Sequence, residues 1–351
     1  MKERIAIYPF TRELSSFILY KDQLKNYELV FAITPRGWDK FEDQKDRFAK
    51  IVLDEDTFYL NQCINYVDVL LLCKPILNVD LSLYENIIKL AKINGVKVVY
   101  VEELEALLIN RIQNNWECLK SHEIVEVKRQ EQSSIEVPVI SVIGIGENCE
   151  KWDVQLGLRD FFLKKGYKVS LISNNKLLKL FGASIFPPVI NSTEYKFEQQ
   201  VGAINSYIKK VELMDSPDLI IIGVPGGIMR YNRYVHNGFG YAPFLVSNAF
   251  IPDITVVSLY CGYYEKEQLE EIKRTCLYKL GVNANYFHIS SKVSQYNLES
   301  KQIDYFSIDQ NYVNELVEKN SINGAFFNIN KEPKEVFQRI LEELHHNIPV
   351  M

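Results

Sequence analysis

The chain has no apolar run near the roughly 20 residues that a membrane-spanning helix needs. None of its six cysteines (Cys63, Cys73, Cys118, Cys149, Cys261 and Cys276) forms a C-x-x-C pair, and no Cys/His group has zinc-ligand spacing. A disulfide scaffold and a metal site are therefore not expected. Met1-Lys2-Glu3-Arg4 leads at once into Ile5-Ala6-Ile7-Tyr8, the texture of a first strand and not of a secretory signal. Reduced thiols and a cytoplasmic location follow as expectations. An excess of base is missing too, since 40 Lys and Arg face 45 Asp and Glu for a formal charge of -5. Nonspecific grip on nucleic acid comes mostly from clustered cations, so neither nucleic acid nor a membrane is an expected partner.

What is present is ordinary globular material. Over 351 residues, 47% are hydrophobic and 24% charged, with 21 Tyr and 19 Phe, enough for about two cores. Short apolar runs at 4–8, 29–33, 50–53, 67–73 and 97–101 have the length and β-branched content of buried strands. Between them, residues 82–94 carry Leu83, Ile87, Leu90 and Ala91 on one face and stop at Gly95. Such alternation implies parallel strands joined by helical crossovers. Residues 102–119 read as one long helix.

Residues 126–137 are polar and poor in large apolar side chains, and read as a domain linker. The rhythm then restarts with strands at 139–143, 168–173, 219–222, 254–259, 286–289 and 324–329. Helices are expected at 152–165, 195–214, 265–280 and 335–345. The fold class is α/β: two doubly wound layers, an N-terminal Rossmann-like domain over 1–125 and a C-terminal degenerate P-loop-like parallel sheet over 138–351. The first layer has no G-x-G-x-x-G after its first strand. Tyr8-Pro9-Phe10-Thr11-Arg12 stands there instead, which argues against a dinucleotide. The loop 35–39, with Gly37 and Trp38, suits either a turn or a ligand.

Ligands of open parallel sheets bind beyond the strands' carboxyl ends. There, Gly144-Ile145-Gly146-Glu147-Asn148-Cys149-Glu150-Lys151 joins an apolar strand to an amphipathic helix. Glycines admit close backbone approach, and the helix start adds about half a positive charge. Against G-x-x-x-x-G-K-[ST], only Lys151 matches. Ile145 and Glu150 replace the glycines, and Trp152 offers no hydroxyl to Mg²⁺. No acidic residue follows Ile222 either. The cofactor is thus open: a nucleotide or another phosphate-bearing ligand held without magnesium chemistry is one option. Conventional Mg-dependent NTP hydrolysis is not expected.

Residues 144–159, 217–228 (Pro217-Asp218-Leu219-Ile220-Ile221-Ile222-Gly223-Val224-Pro225-Gly226-Gly227-Ile228) and Asn237-Gly238-Phe239-Gly240 resemble blocks of the clostridial peptide maturation system protein family. Members are encoded beside ribosomally made peptides and their radical S-adenosylmethionine modifying enzymes. The resemblance implies an accessory protein of peptide natural-product maturation, with the precursor peptide or the maturase as partner and a homo-oligomer as an option. It implies a process and carries no catalytic signature. The other reading is an enzyme acting on a phosphorylated or carboxylated small molecule, or on an activated peptide, in the C-terminal cleft.

The expected ligand or partner set is Gly144, Gly146, Asn148, Cys149, Lys151, Gln155, Arg159, Gly226, Gly227, Arg230, Arg233, Gly238, Phe239 and Gly240. Gly226 and Gly227 suit a tight turn or backbone donors. Arg230 and Arg233 lie in a long connection of the kind that often binds. Gln155 and Arg159 share a face with Lys151 and read as exposed helix polarity or as a row continuing a pocket. Cys149, at a helix start beside Lys151, is either a lowered-pKa nucleophile or, with Glu147 and Glu150 opposing, a structural thiol. The tandem His345-His346 reads as a solvated helix end. The loops 144–151, 223–227 and 237–240 are expected together at one edge of the second sheet.

Overall fold

The structure, a computed structural model, describes residues 2–35, 38, 50–53, 57–75, 79–112, 114–121, 132–320, 325–331 and 333–347. The chain forms two compact units, Met1–Lys120 with Lys176–Gly182, and Ser121–Asn175 with Ala183–Met351.

Unit 1 holds strands β1 (Glu3–Tyr8), β2 (Tyr27–Thr34), β3 (Lys50–Leu53), β4 (Val69–Leu72), β5 (Lys97–Val101) and β6 (Trp116–Leu119), with helices α1 (Ser16–Leu19), α2 (Thr57–Tyr66), α3 (Ser82–Ile93) and α4 (Glu105–Leu108). The sheet is parallel in the order β3-β2-β1-β4-β5-β6, the doubly wound order of dinucleotide-binding layers. At its switch point, between β1 and β4, side chains fill the space. The rings of Tyr8 and Tyr84 lie 6.1 Å apart, Tyr84 donates to the Cys73 carbonyl at 2.8 Å, and Phe10 is fully buried. A pyrophosphate needs bare backbone at this place.

The long helix expected over 102–119 is not formed. A single turn at Glu102–Leu104 and the short α4 give way to β6, which pairs with β5. Asn114 and Asn115 are weak helix formers, and Trp116 packs beside Tyr100 at 6.1 Å while Leu119 is buried. Tertiary pairing overrides the local pattern.

Unit 1 also takes residues 176–182, which the sequence places in the second layer. Phe181 is fully buried with its ring 5.0 Å from that of Phe17, and Lys25 donates its N–H to the Leu180 carbonyl at 3.1 Å. Lys176 pairs with Glu102 and Glu103 at 2.6 and 3.0 Å.

Unit 2 holds β7 (Val139–Gly144), β8 (Val169–Ser173), β9 (Ser184–Ile185), β10 (Leu219–Gly223), β11 (Ile254–Leu259), β12 (Tyr286–Ile289) and β15 (Phe326–Phe327) in one sheet, ordered β15-β12-β11-β7-β10-β8-β9 and parallel throughout. Helices α5 (Lys151–Lys164), α6 (Phe197–Asp215), α7 (Tyr241–Ser247), α8 (Lys266–Thr275), α9 (Gln310–Asn320) and α10 (Lys334–Asn347) flank it. Central β7 and β10 are buried along their whole length, as a sheet covered on both faces requires. Strands β13 (Lys292–Asn297) and β14 (Gln302–Ser307) form a separate antiparallel hairpin that the sequence reading lacks. The chain is thus α/β, with a Rossmann-like layer and a P-loop-like parallel layer.

Of the expected linker, residues 126–131 lie outside the described residues, as do Arg36, Gly37, Asp39 and Gly324. The rest is tied to α6. Asn205 exchanges bonds with Ser133, and the N–H groups of Glu136 and Val137 donate to Glu212 at 2.6 and 3.0 Å. Burial pushes the Glu212 carboxyl up, but Lys209 and these two N–H groups hold it below its ordinary range.

Replacing Phe181 by alanine should cost about 3–5 kcal/mol, the usual range for a buried phenylalanine. The denaturation midpoint measures it. A loss below about 1 kcal/mol would mean that residues 176–182 contribute nothing to the core of unit 1.

Candidate functional site

The loop after β7 is built by alternating backbone hands. Asn148 and Glu150 both have positive φ, 53° and 61°. Asn tolerates this region, but Glu does not adopt it without compensation. The compensation is visible in the side chain: Glu150 accepts the Ser291 N–H at 3.0 Å and the Ser291 hydroxyl. Successive residues of alternating hand turn their N–H groups to one side, the geometry of an anion nest. The N–H groups of Gly146, Glu147, Asn148, Cys149 and Lys151 have no acceptor among the described residues.

The three glycine loops meet here. Gly227 packs backbone on backbone against Gly146: a Cβ on Gly227 would lie 2.6 Å from the Gly146 Cα. Its N–H donates to the Gly238 carbonyl at 3.0 Å, and Ile228 and Met229 donate to the carbonyls of Gly144 and Ile145 at 2.9 and 3.1 Å. Gly238 sits against the Glu147 side chain, and Gly227 bridges to Phe239. Lys151 locks the arrangement, its Nζ donating to the carbonyls of Val224 and Gly226 at 3.1 and 2.5 Å. Of three ammonium donors, one is left for a ligand. Gly226 has φ 72°, and a Cβ there would meet the Gly238 carbonyl oxygen at 2.6 Å. A Gly226→Val change therefore strains the loops themselves and is a poor probe of binding alone.

Tyrosines and buried polar groups support the cluster from below, and the sequence reading missed them. Tyr260, just past β11, donates to the Glu147 carbonyl and accepts from Asn237 at 3.0 Å. Tyr305, from the hairpin, donates to Asn237 Oδ1 at 2.6 Å. Tyr260 could have been found by the same carboxyl-end rule that singled out residues 144–151. Tyr305 could not, because its hairpin leaves no glycine or periodic signal near the site. Ser258 donates its hydroxyl to the Cys149 carbonyl and so accepts from His288 Nδ1 at 2.7 Å. Burial pushes the His288 pKa down to about 3, so the ring is neutral, with Nε2 3.9 Å from the Glu150 carboxylate.

The remaining expected residues divide. Cys149 is fully buried and donates to the Gly146 carbonyl at 3.2 Å; burial raises its pKa, with Lys151 only partly opposing. It is a structural thiol. Gln155 and Arg159 are not exposed polarity: they are 2% and 8% exposed, on a helix that α10 also covers through Phe161 and Phe337, rings 5.7 Å apart. Gln155 donates to the Lys151 carbonyl at 3.2 Å and its amide covers Gly223. Burial lowers the Arg159 pKa, with Asp215 opposing. Arg230 and Arg233 are exposed, their guanidiniums over the rings of Phe239 and Tyr234 at 5.9 and 5.6 Å. Gly240 caps α7. Tyr241 turns to α6, where it donates to Gln200. Near the C-terminus, His345 meets the Tyr167 hydroxyl at 2.9 Å. Among the described residues no group of three His, Cys, Asp or Glu could hold a metal, and no helix is long and apolar enough to cross a membrane.

His288 ties the site to pH. Its folded pKa lies below the unfolded value near 6.5, so the unfolded chain binds the extra proton between about pH 6.5 and 3. Stability should fall with pH across that window, by at most about 1.4 kcal/mol per pH unit. Denaturation of the wild type and of His288→Asn from pH 7 to 4.5 checks this; equal slopes would remove His288 as the cause.

No protein-family model matches the sequence, and no curated protein does. Among solved structures, a DUF1611 family protein from Anabaena variabilis is 12% identical over 99% of this chain and 100% of its own, with a TM-score of 0.65. An Archaeoglobus fulgidus nucleotide-binding protein in complex with ADP is 14% identical over 61% of this chain and 92% of its own, with a TM-score of 0.33. A LAO/AO transport system kinase is 10% identical over 60% of each chain, with a TM-score of 0.32. The last two scores are too low to bear on this chain. The first likeness, at its low identity, shows a fold shared along both chains and leaves the chemistry to the loops.

Proposed function

We propose that this chain is a non-hydrolytic accessory protein of ribosomal peptide maturation, which holds an anionic group of the precursor peptide, or of the enzyme that modifies it, at the loop cluster 144–151, 223–227 and 237–240. The observation that carries the reading is that the N–H groups of Gly146, Glu147, Asn148, Cys149 and Lys151, at the start of α5, have no acceptor among the described residues. An anion placed there meets aligned donors, the positive end of a fourteen-residue helix and the remaining ammonium donor of Lys151. The resemblance of residues 144–159, 217–228 and 237–240 to the peptide maturation family supplies the process.

Turnover is disfavoured on chemical grounds. Trp152 stands where a magnesium-binding hydroxyl is needed, and Gly223-Val224-Pro225, at the end of β10, stands where a carboxylate is needed. The Val224 and Gly226 carbonyls bind the lysine instead. Half-buried Ile145 and Met229 beside the nest suit an anion with an apolar body, such as a peptide carboxyl terminus.

A short neutral peptide ending in phenylalanine, offered as the free acid and as the amide, tests this by thermal shift. At 100 times its dissociation constant the acid should stabilise the protein by about 2.7 kcal/mol. The amide should bind at least tenfold more weakly, and Lys151→Met should lose most of the difference. Equal binding of acid and amide would refute the nest as a carboxylate site. Mg-dependent ATP turnover that vanishes in Lys151→Met would replace the accessory reading with an enzyme.

A further inference from the structure

The long loop between β10 and α7 and the helical turn Cys276–Leu280 that follows α8 bring cations to one aromatic ring. Phe239 is half-buried, with the Arg230 guanidinium 5.9 Å and the Lys279 ammonium 5.2 Å from its centroid, and His236 stacked at 6.3 Å and 20°. A few residues along, Arg233 lies over exposed Tyr234 at 5.6 Å. All three basic side chains are exposed. Among the described residues none has a carboxylate within salt-bridge distance or a side-chain hydrogen bond, although the chain has 45 acidic residues against 40 basic ones. An ordered cation with unclaimed donors in an acid-rich chain is available to an anion from outside.

We propose that Arg230, Arg233 and Lys279 form a docking strip for an acidic peptide segment. The proposal stands apart from the terminus-binding reading, since it uses none of the nest's donors. Ring contact holds each cation in place while its N–H groups face solvent, so less side-chain entropy is lost when a carboxylate arrives. Arg230 and Lys279 share one ring, so their charges lie no farther apart than the sum of the two ring distances. Carboxylates two residues apart in an extended segment stand about 7 Å apart, within that span. A nucleic acid fits less well: stacked bases need free ring faces, and Phe239 already carries two cations and an imidazole.

Fluorescence anisotropy with a labelled, C-terminally amidated peptide alternating Glu and Gly tests the strip in the full chain at low salt. Amidation removes the terminal carboxylate, so failure here is separate from failure of the nest. The Glu peptide should bind at least tenfold more tightly than its Gln counterpart, and a double Arg230→Gln, Lys279→Gln variant should lose at least tenfold with unchanged melting. Arg274→Gln, on an exposed cation of α8 that is not among those over the Phe239 ring, should change binding less than twofold. Should the double variant melt early, Arg233→Gln alone decides, with about a threefold loss expected. Wild-type affinity in the strip variants would overturn the proposal. So would an equal loss in Arg274→Gln, or tighter binding of a thymidine oligonucleotide than of the Glu peptide.

Discussion

Backbone-on-backbone contact between Gly227 and Gly146 sets the geometry of everything above the second sheet. Two loops from adjacent strands can approach so closely only where neither carries a Cβ, and a Cβ at Gly227 would lie 2.6 Å from the opposing Cα. Once they touch, the carbonyls of Val224 and Gly226 face the first turn of α5, and Lys151 satisfies both. The lysine thus has a structural duty before any ligand arrives. Buried carbonyls without a donor would each cost about 1–3 kcal/mol, so the ammonium keeps the second loop folded over the first.

A second set of contacts explains why the left-handed residues persist. Glu150 at φ 61° stores strain, and the surroundings over-determine it: Ser291 holds its carboxylate, and Ser258 holds the preceding carbonyl. His288, neutral and buried, fixes Ser258 in turn. The nest is therefore held from beneath, while the N–H groups of Gly146, Glu147, Asn148, Cys149 and Lys151 have no acceptor among the described residues. Preorganised donors bind without first paying to order themselves.

The strand–loop–helix unit of residues 139–164 was legible because its signals are local: a β-branched run, glycines, then an amphipathic stretch. The convergence of the three glycine loops was legible for a related reason, since parallel strands place all their carboxyl ends on one edge. What could not be read is long-range. Residues 102–119 have helical composition, yet β5 recruits Trp116–Leu119 as a strand. The second part of the expected linker is fixed through its backbone, because Asn205 and Glu212, more than seventy residues on, supply partners to Ser133, Glu136 and Val137. Gln155 and Arg159 have the spacing of an exposed row and are buried because that row faces inward, Gln155 against Gly223 of β10 and Arg159 toward Asp215 at the end of α6.

Charge then decides which anion such a nest favours. Glu147 lies against Gly238, and Glu150 is anchored at Ser291, so carboxylates flank the donors while Lys151 has spent two of its three N–H groups. Each further negative charge on a ligand about 6 Å from one of these carboxylates costs about 3 kcal/mol at an effective dielectric near 20. Phosphate-binding loops offset such repulsion with a bound magnesium ion, and Trp152 removes one of the contacts that would hold it. A triphosphate would meet this repulsion several times over. A single carboxylate would meet it once, against several backbone donors and a helix end, so charge favours the proposed monoanionic terminus over a nucleotide.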